Sequence, residues 1–435
     1  RKRSGLGVNM ITKFYYGLGL WWLLNFNLYP AHGSSLPEKS TELGISAEQW
    51  LVYPKNSAQA LASEGLSSEV KVWQKLNVGV INIEAGEIDH WKQRHPELHW
   101  EKNRQFKIVF PQIEKFLLKN QSANQSLWWD QAIHYPQLLT RGHHLHPVIV
   151  AVADSGIAET HLQLQNHLWI NEQELGGILG VDDDGNGIVD DVSGANFFDH
   201  NGDISDDNDH GTHVAGIIAS ENWGHAQHAK IMVLKIFDKD GNSDLATILE
   251  SMEYAAKKAA SIYNASWTIP YYSQVLEQAI EKLNRHGVLV VAAVGNDSKN
   301  IDDWPVYPAS FEQENLLSVS AIDRWGRKSS FANFGKTHTH VFAPGEEIIS
   351  TIPGNQTGTM SGTSMAAPFV SALAAWFKGR DPLLSPAQLR DGILNAVSFR
   401  VGLSGNSQAR GVINFDKTIN QLNGNFQLWP RQISI

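Results

Sequence analysis

Val148-Ile149-Val150-Ala151-Val152-Ala153-Asp154-Ser155-Gly156 is the stretch that decides the fold. Its first six residues are apolar without a break, as in a strand buried on both faces, and such strands belong to parallel sheets covered by helices on each side. Ile231 to Phe237, Gly287 to Ala293 and Leu316 to Ala321 repeat the pattern. Between these runs the apolar residues change to helical spacing: Leu245, Ile248, Leu249, Met252, Ala255, Ala256 and Ala259, then Val275, Leu276, Ala279, Ile280 and Leu283. Ser385-Pro386-Ala387-Gln388 is a helix start with serine as cap, proline in the first turn and glutamine closing a capping box. Strands alternating with helices predict an α/β domain, a doubly wound and mostly parallel sheet over residues 127–422, followed by a tail at 423–435 without a clear period.

The chain has 435 residues, enough for two or three units. It is 42% hydrophobic and 18% charged, which suits a buried core and excludes a disordered or fibrous protein. The net charge is −10, with no basic stretch beyond the first few residues, so no nucleic-acid partner is expected. Cysteine is absent, which removes disulfides, thiolate nucleophiles and zinc–thiolate sites together.

Arg1, Lys2, Arg3 and Lys13 precede an apolar run from Tyr15 to Tyr29, and Ala31-His32-Gly33 follows with small residues. The pattern predicts a signal peptide over residues 1–33, with an uncleaved anchor as the alternative. Asn25 and Asn27 interrupt the run, and no later stretch approaches the length of a membrane helix, so no stable span remains after signal removal. The expected location is secreted or periplasmic.

From Gln49 to Phe110 the order reads strand (Gln49 to Tyr53), helix (Ser57 to Glu64), strand material (Val70 to Ile83), helix (Glu87 to Gln93) and strand (Leu98 to Phe110). That order suits a small split βαβ α+β domain. The polar stretch Lys119 to Ser126 reads as an exposed linker, so residues 34–126 form one domain with its linker.

Three segments of the larger domain combine into one chemistry. Asp154-Ser155-Gly156 ends the first strand, where open α/β sheets place their ligand sites. His210-Gly211-Thr212-His213-Val214-Ala215-Gly216 opens a helix, and Gly362-Thr363-Ser364-Met365-Ala366-Ala367-Pro368 opens another. Alone, each has a plain explanation as a turn cap, a surface histidine or an N-cap serine. Together they supply an orienting acid, a base and a nucleophile in the order Asp, His, Ser. On these blocks, residues 141–422 resemble the subtilisin-like serine proteases, matching at every catalytic position.

The resemblance implies that Ser364 attacks a peptide carbonyl, His210 carries the proton and Asp154 orients the imidazole, with His213 a packed helix residue. Ala292-Ala293-Val294-Gly295-Asn296 resembles the block whose asparagine amide stabilises the oxyanion, a role that would fall to Asn296. The substrate-pairing segment would include Ser266, Trp267 and Thr268; the family usually has glycine where Thr268 stands. Gly295 and Val306 would border the pocket, and an apolar residue at Val306 hints at an uncharged substrate side chain. By position and element order the leading domain resembles an inhibitory propeptide, released by self-cleavage near Asn120 to Ser126.

Asp182, Asp184 and Asn186 stand at positions one, three and five of an EF-hand-like loop, with the Ile188 carbonyl seventh and Asp190 ninth. Asp191 would replace the missing last acid, and similar loops occur in the family, so calcium is the expected ion, with a solvated acidic loop as the alternative. A second acidic run, Asp203 to Asp209, is either another ion site or surface. His143-His144-Leu145-His146 and His338-Thr339-His340 lack zinc-ligand spacing and read as surface or core histidines. The resemblance thus implies an exported, monomeric, calcium-stabilised serine endopeptidase acting on proteins or peptides, with its own propeptide as inhibitor. The alternatives are a processing peptidase dedicated to one partner protein, or a catalytically silent binding protein on the same fold.

Overall fold

The computed structural model describes residues 47–56, 60–61, 70–116, 127–135 and 145–425. The expected signal segment, the helix expected over Ser57 to Glu64, the linker at 119–126, His143 and His144 lie wholly or mostly outside the described residues. So does the tail from 426 onward.

The N-terminal unit is an antiparallel sheet of β1 (Ala47–Pro54), β2 (Lys71–Trp73), β3 (Val78–Glu84) and β4 (Leu98–Lys102), in the order β2-β3-β1-β4. α1 (Ile88–Arg94) connects β3 to β4, so the described part of the expected split βαβ order is present. The single strand expected over Leu98 to Phe110 is broken. β4 ends at Lys102; Asn103 still donates its N–H to the Gln49 carbonyl at 2.9 Å, but its side-chain oxygen accepts the backbone N–H of Ala246 at 3.0 Å. The chain then resumes as β5 (Gln105–Lys107) and, further on, β6 (Glu114–Phe116). α2 (Trp128–Ala132) follows.

The larger sheet begins with β7 (Val148–Asp154) and continues, after α3 (Glu172–Leu175), with β8 (Gly194–Asn196). α4 (His210–Ala219) leads to β9 (Ala229–Lys235), then β10 (Asn242–Asp244) and α5 (Leu245–Lys257). β11 (Ile262–Ala265), α6 (Gln274–Arg285), β12 (Leu289–Ala293) and β13 (Leu316–Ile322) come next. β14 (Val341–Pro344) precedes the hairpin β15 (Ile348–Ile352) and β16 (Gln356–Met360). α7 (Thr363–Arg380), α8 (Pro386–Asn395), β17 (Ser398–Phe399), β18 (Gly411–Val412) and α9 (Phe415–Asn425) complete the described chain, α9 ending three residues past the expected limit.

Nine strands pair in the order β17-β18-β14-β13-β12-β11-β7-β9-β8, all parallel except β17 with β18. The chain moves from β7 to one side (β8, β9) and then crosses to the other (β11 onward). The order therefore reverses between β7 and β11, and a crevice opens beyond the carboxyl ends of these strands.

Alternation along β7 explains the two helix layers. Val148, Val150 and Val152 pack into one core with α4 and α7, while Ala151 and Ala153 face a second core with α5 and α6. Leu51, Tyr53, Trp73, Leu76 and Val78 of the N-terminal unit join that second core, so its sheet lies against α5 and α6. Polar contacts add to the apolar ones. The buried Glu253 carboxylate accepts the N–H groups of Lys75 (2.9 Å) and Leu76 (2.8 Å), and Lys282 donates to the Leu76 carbonyl. Glu101 accepts the N–H of Val275 in the first turn of α6, at 3.1 Å.

Candidate active site

Asp154 is the last residue of β7 and His210 the first of α4, and both are about 1% exposed. Glycines let the two elements meet. Gly156 holds φ +109° against the carbonyls of Ile204 and Ser205, and a Cβ on Gly211 would lie 2.1 Å from the Gly156 oxygen. His210 Nδ1 then stands 2.7 Å from Asp154 Oδ1, which also accepts the Ser155 N–H at 2.8 Å. Asp206 fastens the joint. Its carboxylate binds the Ser155 hydroxyl (2.8 Å) and accepts the Thr212 N–H (2.8 Å) and hydroxyl, while the Ser155 oxygen accepts the Gly211 N–H at 2.9 Å. Burial raises the Asp206 carboxyl above the ordinary value, against the pull of the Thr212 and Ser155 hydrogen bonds.

Ser364 is the second residue of α7, beside the same crevice. Its hydroxyl donates to the Ser266 carbonyl at 2.9 Å, and the Ser266 hydroxyl donates back to the Ser364 carbonyl at 2.9 Å. His210 Nε2 has no hydrogen-bond partner among the described residues. The Asp–His link is thus formed and the Ser–His link is not; rotation of the serine hydroxyl is what would join them, a looseness common in resting sites. His213 belongs to the core, with Nε2 3.0 Å from the Ile348 carbonyl and 3.2 Å from that of Gly358. Burial first, and the His210 charge second, push it down to about 3, so it stays neutral.

Asn296 follows β12 and directs its amide oxygen to both donors of Thr363, the backbone N–H at 2.9 Å and the hydroxyl at 3.0 Å. That leaves the NH2 group as its free end, 3.4 Å from where a Gly362 Cβ would sit and next to the start of α7. Ser266 and the buried Trp267 follow β11, and the bridge between Ile269 and Tyr307 ties that segment to the one containing Val306. The Gly295 N–H donates to the Thr363 hydroxyl at 3.0 Å, and Thr268 Oγ1 lies 3.6 Å from where a Gly295 Cβ would be. Ser266, Trp267, Thr268, Gly295 and Asn296 are therefore grouped near the start of α7 where Ser364 sits, while Val306 packs against the second core beside the bridged Tyr307.

The acidic loop is only partly assembled as expected. Oxygens of Asp182, Asp184 and Glu174 converge within 4.8 Å of one another. Glu174 was not foreseen, because it lies on α3, outside the loop. Asn186 stays close, its N–H donating to Asp182 and Asp184 at 3.1 and 3.0 Å. Asp190 and Asp191 lie beside the cluster: Asp190 accepts the Gly180 N–H at 2.9 Å and donates its own N–H to Glu174 at 3.2 Å, and the buried Asp191 accepts the Tyr254 hydroxyl and the amides of Asn186 and of Asn171, which also bonds Asp184. The Ile188 side chain is buried in the second core. Burial alone would raise the Asp184 carboxyl, but Lys258 and Asn171 outweigh it and hold it below the usual range. In the second acidic run, Asp207 pairs with Lys235 at 2.8 Å and Asp209 with Lys115 at 2.9 Å, while Asp206 is spent on the joint described above. His338 pairs with Asp302, and His340 is buried against Ser318.

The leading domain is expected to block the cleft, but the sequence does not mark which residues lie there. β5 pairs with β10, the Ile108 N–H donates to the Gly241 carbonyl at 2.9 Å, and the Phe110 ring lies 4.8 Å from the His210 ring. Pro111 borders Gly362, and β6 then pairs with β16. Residues 105–116 thus cross the face of the candidate catalytic groups.

An open parallel sheet with an acid at a central strand end, and a histidine and a serine at two helix starts, defines an α/β protein with an Asp-His-Ser site. The sequence profile of the subtilase family (Peptidase_S8) matches residues 146–424, and the chain belongs to that family. It is similar to "Subtilisin-like protease 1" of Plasmodium falciparum (isolate 3D7), 30% identical over 308 residues, covering 65% of this chain and 45% of that protein. A "Thermophilic serine proteinase" of Bacillus sp. (strain AK1) is 35% identical over 232 residues, 52% of this chain and 51% of the other. A crystal structure of a cold adapted subtilisin-like serine proteinase aligns with TM-score 0.53 and 25% identity, covering 66% of this chain and 96% of that one. The chain spans less than half the length of the Plasmodium relatives it matches.

Proposed function

We propose that the protein is a serine endopeptidase, exported and made as a zymogen whose N-terminal unit is its inhibitory propeptide. The observation that carries the activity is the 2.7 Å Asp154–His210 contact at the same crevice as Ser364. His210 Nε2 takes the Ser364 hydroxyl proton as Oγ bonds to the substrate carbonyl carbon. It returns the proton to the departing amine as the C–N bond breaks, and a water molecule then repeats the sequence to release the acyl group. Asp154 keeps the Nδ1 proton in place and balances the imidazolium. The Asn296 NH2 group and the Ser364 N–H receive the oxyanion, aided by the positive end of α7.

The inhibitory reading is supported by the passage of residues 105–116 over His210 and Gly362, and export by the basic residues Arg1, Lys2, Arg3 and Lys13 beside the apolar run Tyr15 to Tyr29. Three converging carboxylates suit calcium: Glu174, Asp182 and Asp184 would hold the ion, and its charge would offset their repulsion and fix the loop.

The test is expression of the full chain beside Ser364→Ala, with calcium, followed by intact mass and fluorophosphonate labelling. Cleavage of the parent alone, with label on Ser364, supports the zymogen. An intact, unlabelled parent sinks the peptidase reading and leaves a silent binding protein.

A further inference from the structure

The described chain places a second recognition surface beyond the catalytic residues. Residues 105–116 run in the N-to-C direction from β10, past His210 and Gly362, to β16, the course a substrate would follow. β6 occupies the outer edge of β16 in antiparallel register, Glu114 opposite Thr359, Lys115 opposite Gly358 and Phe116 opposite Thr357. The other edge of β16 is used by β15, so this one is free for an added strand when β6 is absent.

Two side chains on one face of the segment meet features made for them, because residues two apart in an extended strand point the same way. Ile113 packs where Gly358 has no side chain: a Cβ there would come within 2.8 Å of Ile113 Cδ1 and 3.3 Å of Ile352 Cδ1. Lys115 reaches Asp209 at 2.9 Å. Asp209 is largely covered, with 18% of its side chain exposed, and sits in the left-handed conformation (φ 74°) directly before His210. The nearby Asp207 is taken by Lys235, which leaves Asp209 as the carboxylate presented to the segment.

We propose that the β16 edge, Gly358 and Asp209 form a subsite that selects polypeptides carrying an aliphatic residue, any residue, and then lysine or arginine, starting three residues C-terminal to the one that lies against His210 (Phe110 in this chain). The chain's own Ile113-Glu114-Lys115 is its first occupant. The proposal rests on the peptidase reading above and adds a substrate class to it.

Two peptides spanning residues 105–116, with lysine or glutamate in the Lys115 position, are given to the self-processed full chain. Their kcat/KM, or their Ki against casein digestion if they are not cut, is compared. The lysine peptide is expected to be favoured about fivefold, the size of a partly exposed pair turned from attraction to repulsion, and Asp209→Lys should reverse the order. Equal values in a chain that labels with fluorophosphonate overturn the subsite and leave the peptidase standing. If nothing labels and no casein is digested, the peptidase reading fails. Hydrogen exchange along β16 (Gln356–Met360) in the full-length Ser364→Ala chain then decides the subsite: faster exchange on Lys115→Glu supports it, and unchanged exchange overturns it.

Discussion

Glu253→Ala should loosen the N-terminal unit from the larger domain without disturbing either fold. Glu253 lies on α5, and its carboxylate is only 2% exposed because the turn before β3 covers it. It accepts two backbone N–H groups there, at 2.9 and 2.8 Å. A hydrogen bond to a charged group is worth about 1.5–3 kcal/mol, and more is lost when buried donors stay unpaired. In the undocked state the same carboxylate stands on a helix surface in water, so the substitution costs that state little. Together the two bonds account for about 3 kcal/mol, or roughly a hundredfold in the docked population. Lys71 with Glu250 adds little, since the lysine is half exposed.

The assay is hydrogen exchange in the full-length Ser364→Ala chain, read at the paired strands β5 and β10. These lie away from Glu253 and report docking rather than the lost bonds themselves. Protection there should fall roughly a hundredfold in Glu253→Ala and by an intermediate factor in Glu253→Gln, which keeps one acceptor oxygen. Protection within about twofold of the parent would refute the assignment of docking to these bonds, and would place it in the apolar contacts of Leu51, Tyr53 and Trp73.

Asp206→Asn should lower kcat about tenfold with KM little changed, since it slackens the joint that aims His210 without touching substrate; steady-state kinetics on a short peptide checks the split. His340 is buried and pushed down to about 3, by burial first and then by Arg390 and His338. Its folded value lies below the unfolded 6.5, so the unfolded chain binds the extra proton between those values. Its stabilisation is complete above pH 6.5 and is lost as pH falls toward 3, and melting curves of His340→Gln should show a shallower acid decline. Millimolar calcium should raise Tm by about 5 °C, and Glu174→Gln with Asp182→Asn should abolish that rise.

What the sequence made legible is what depends on near neighbours. The apolar run at Val148 to Ala153 is a strand because both its faces are covered, and Ser385 with Gln388 forms both bonds of a capping box. Asp154, His210 and Ser364 were found because each belongs to a block with a fixed local shape. Glu174, Asp206 and Phe110 carry no such mark. Glu174 acquires meaning only when α3 folds against the acidic loop, and an acid inside the run Asp203 to Asp209 looks like surface until Ser155 and Thr212 close around it. Phe110 reads as the end of a strand, yet its ring packs, tilted, against that of a histidine a hundred residues later in the chain.

The same contacts bear on the proposed release of the N-terminal unit. Docking completes helix starts that the larger domain fills only in part. Asp244 caps α5 by accepting the Thr247 N–H, and Asn103 takes that of Ala246; Ser273 accepts the Leu276 N–H of α6, and Glu101 takes that of Val275. The domain's own caps remain when the unit departs, and the three N–H groups released, those of Leu245, Ala246 and Val275, belong to first helical turns, where water is an ordinary partner. Little of the larger domain's own framework therefore depends on the N-terminal unit, and the Glu253 bonds together with the apolar contacts of Leu51, Tyr53 and Trp73 carry its docking. Cutting the connection before α2 should then turn a tethered occupant into one that dissociates on dilution, whereas Ser364→Ala, uncut, should retain it at any concentration. Retention of the cut unit at nanomolar protein would show that these contacts hold it without the tether.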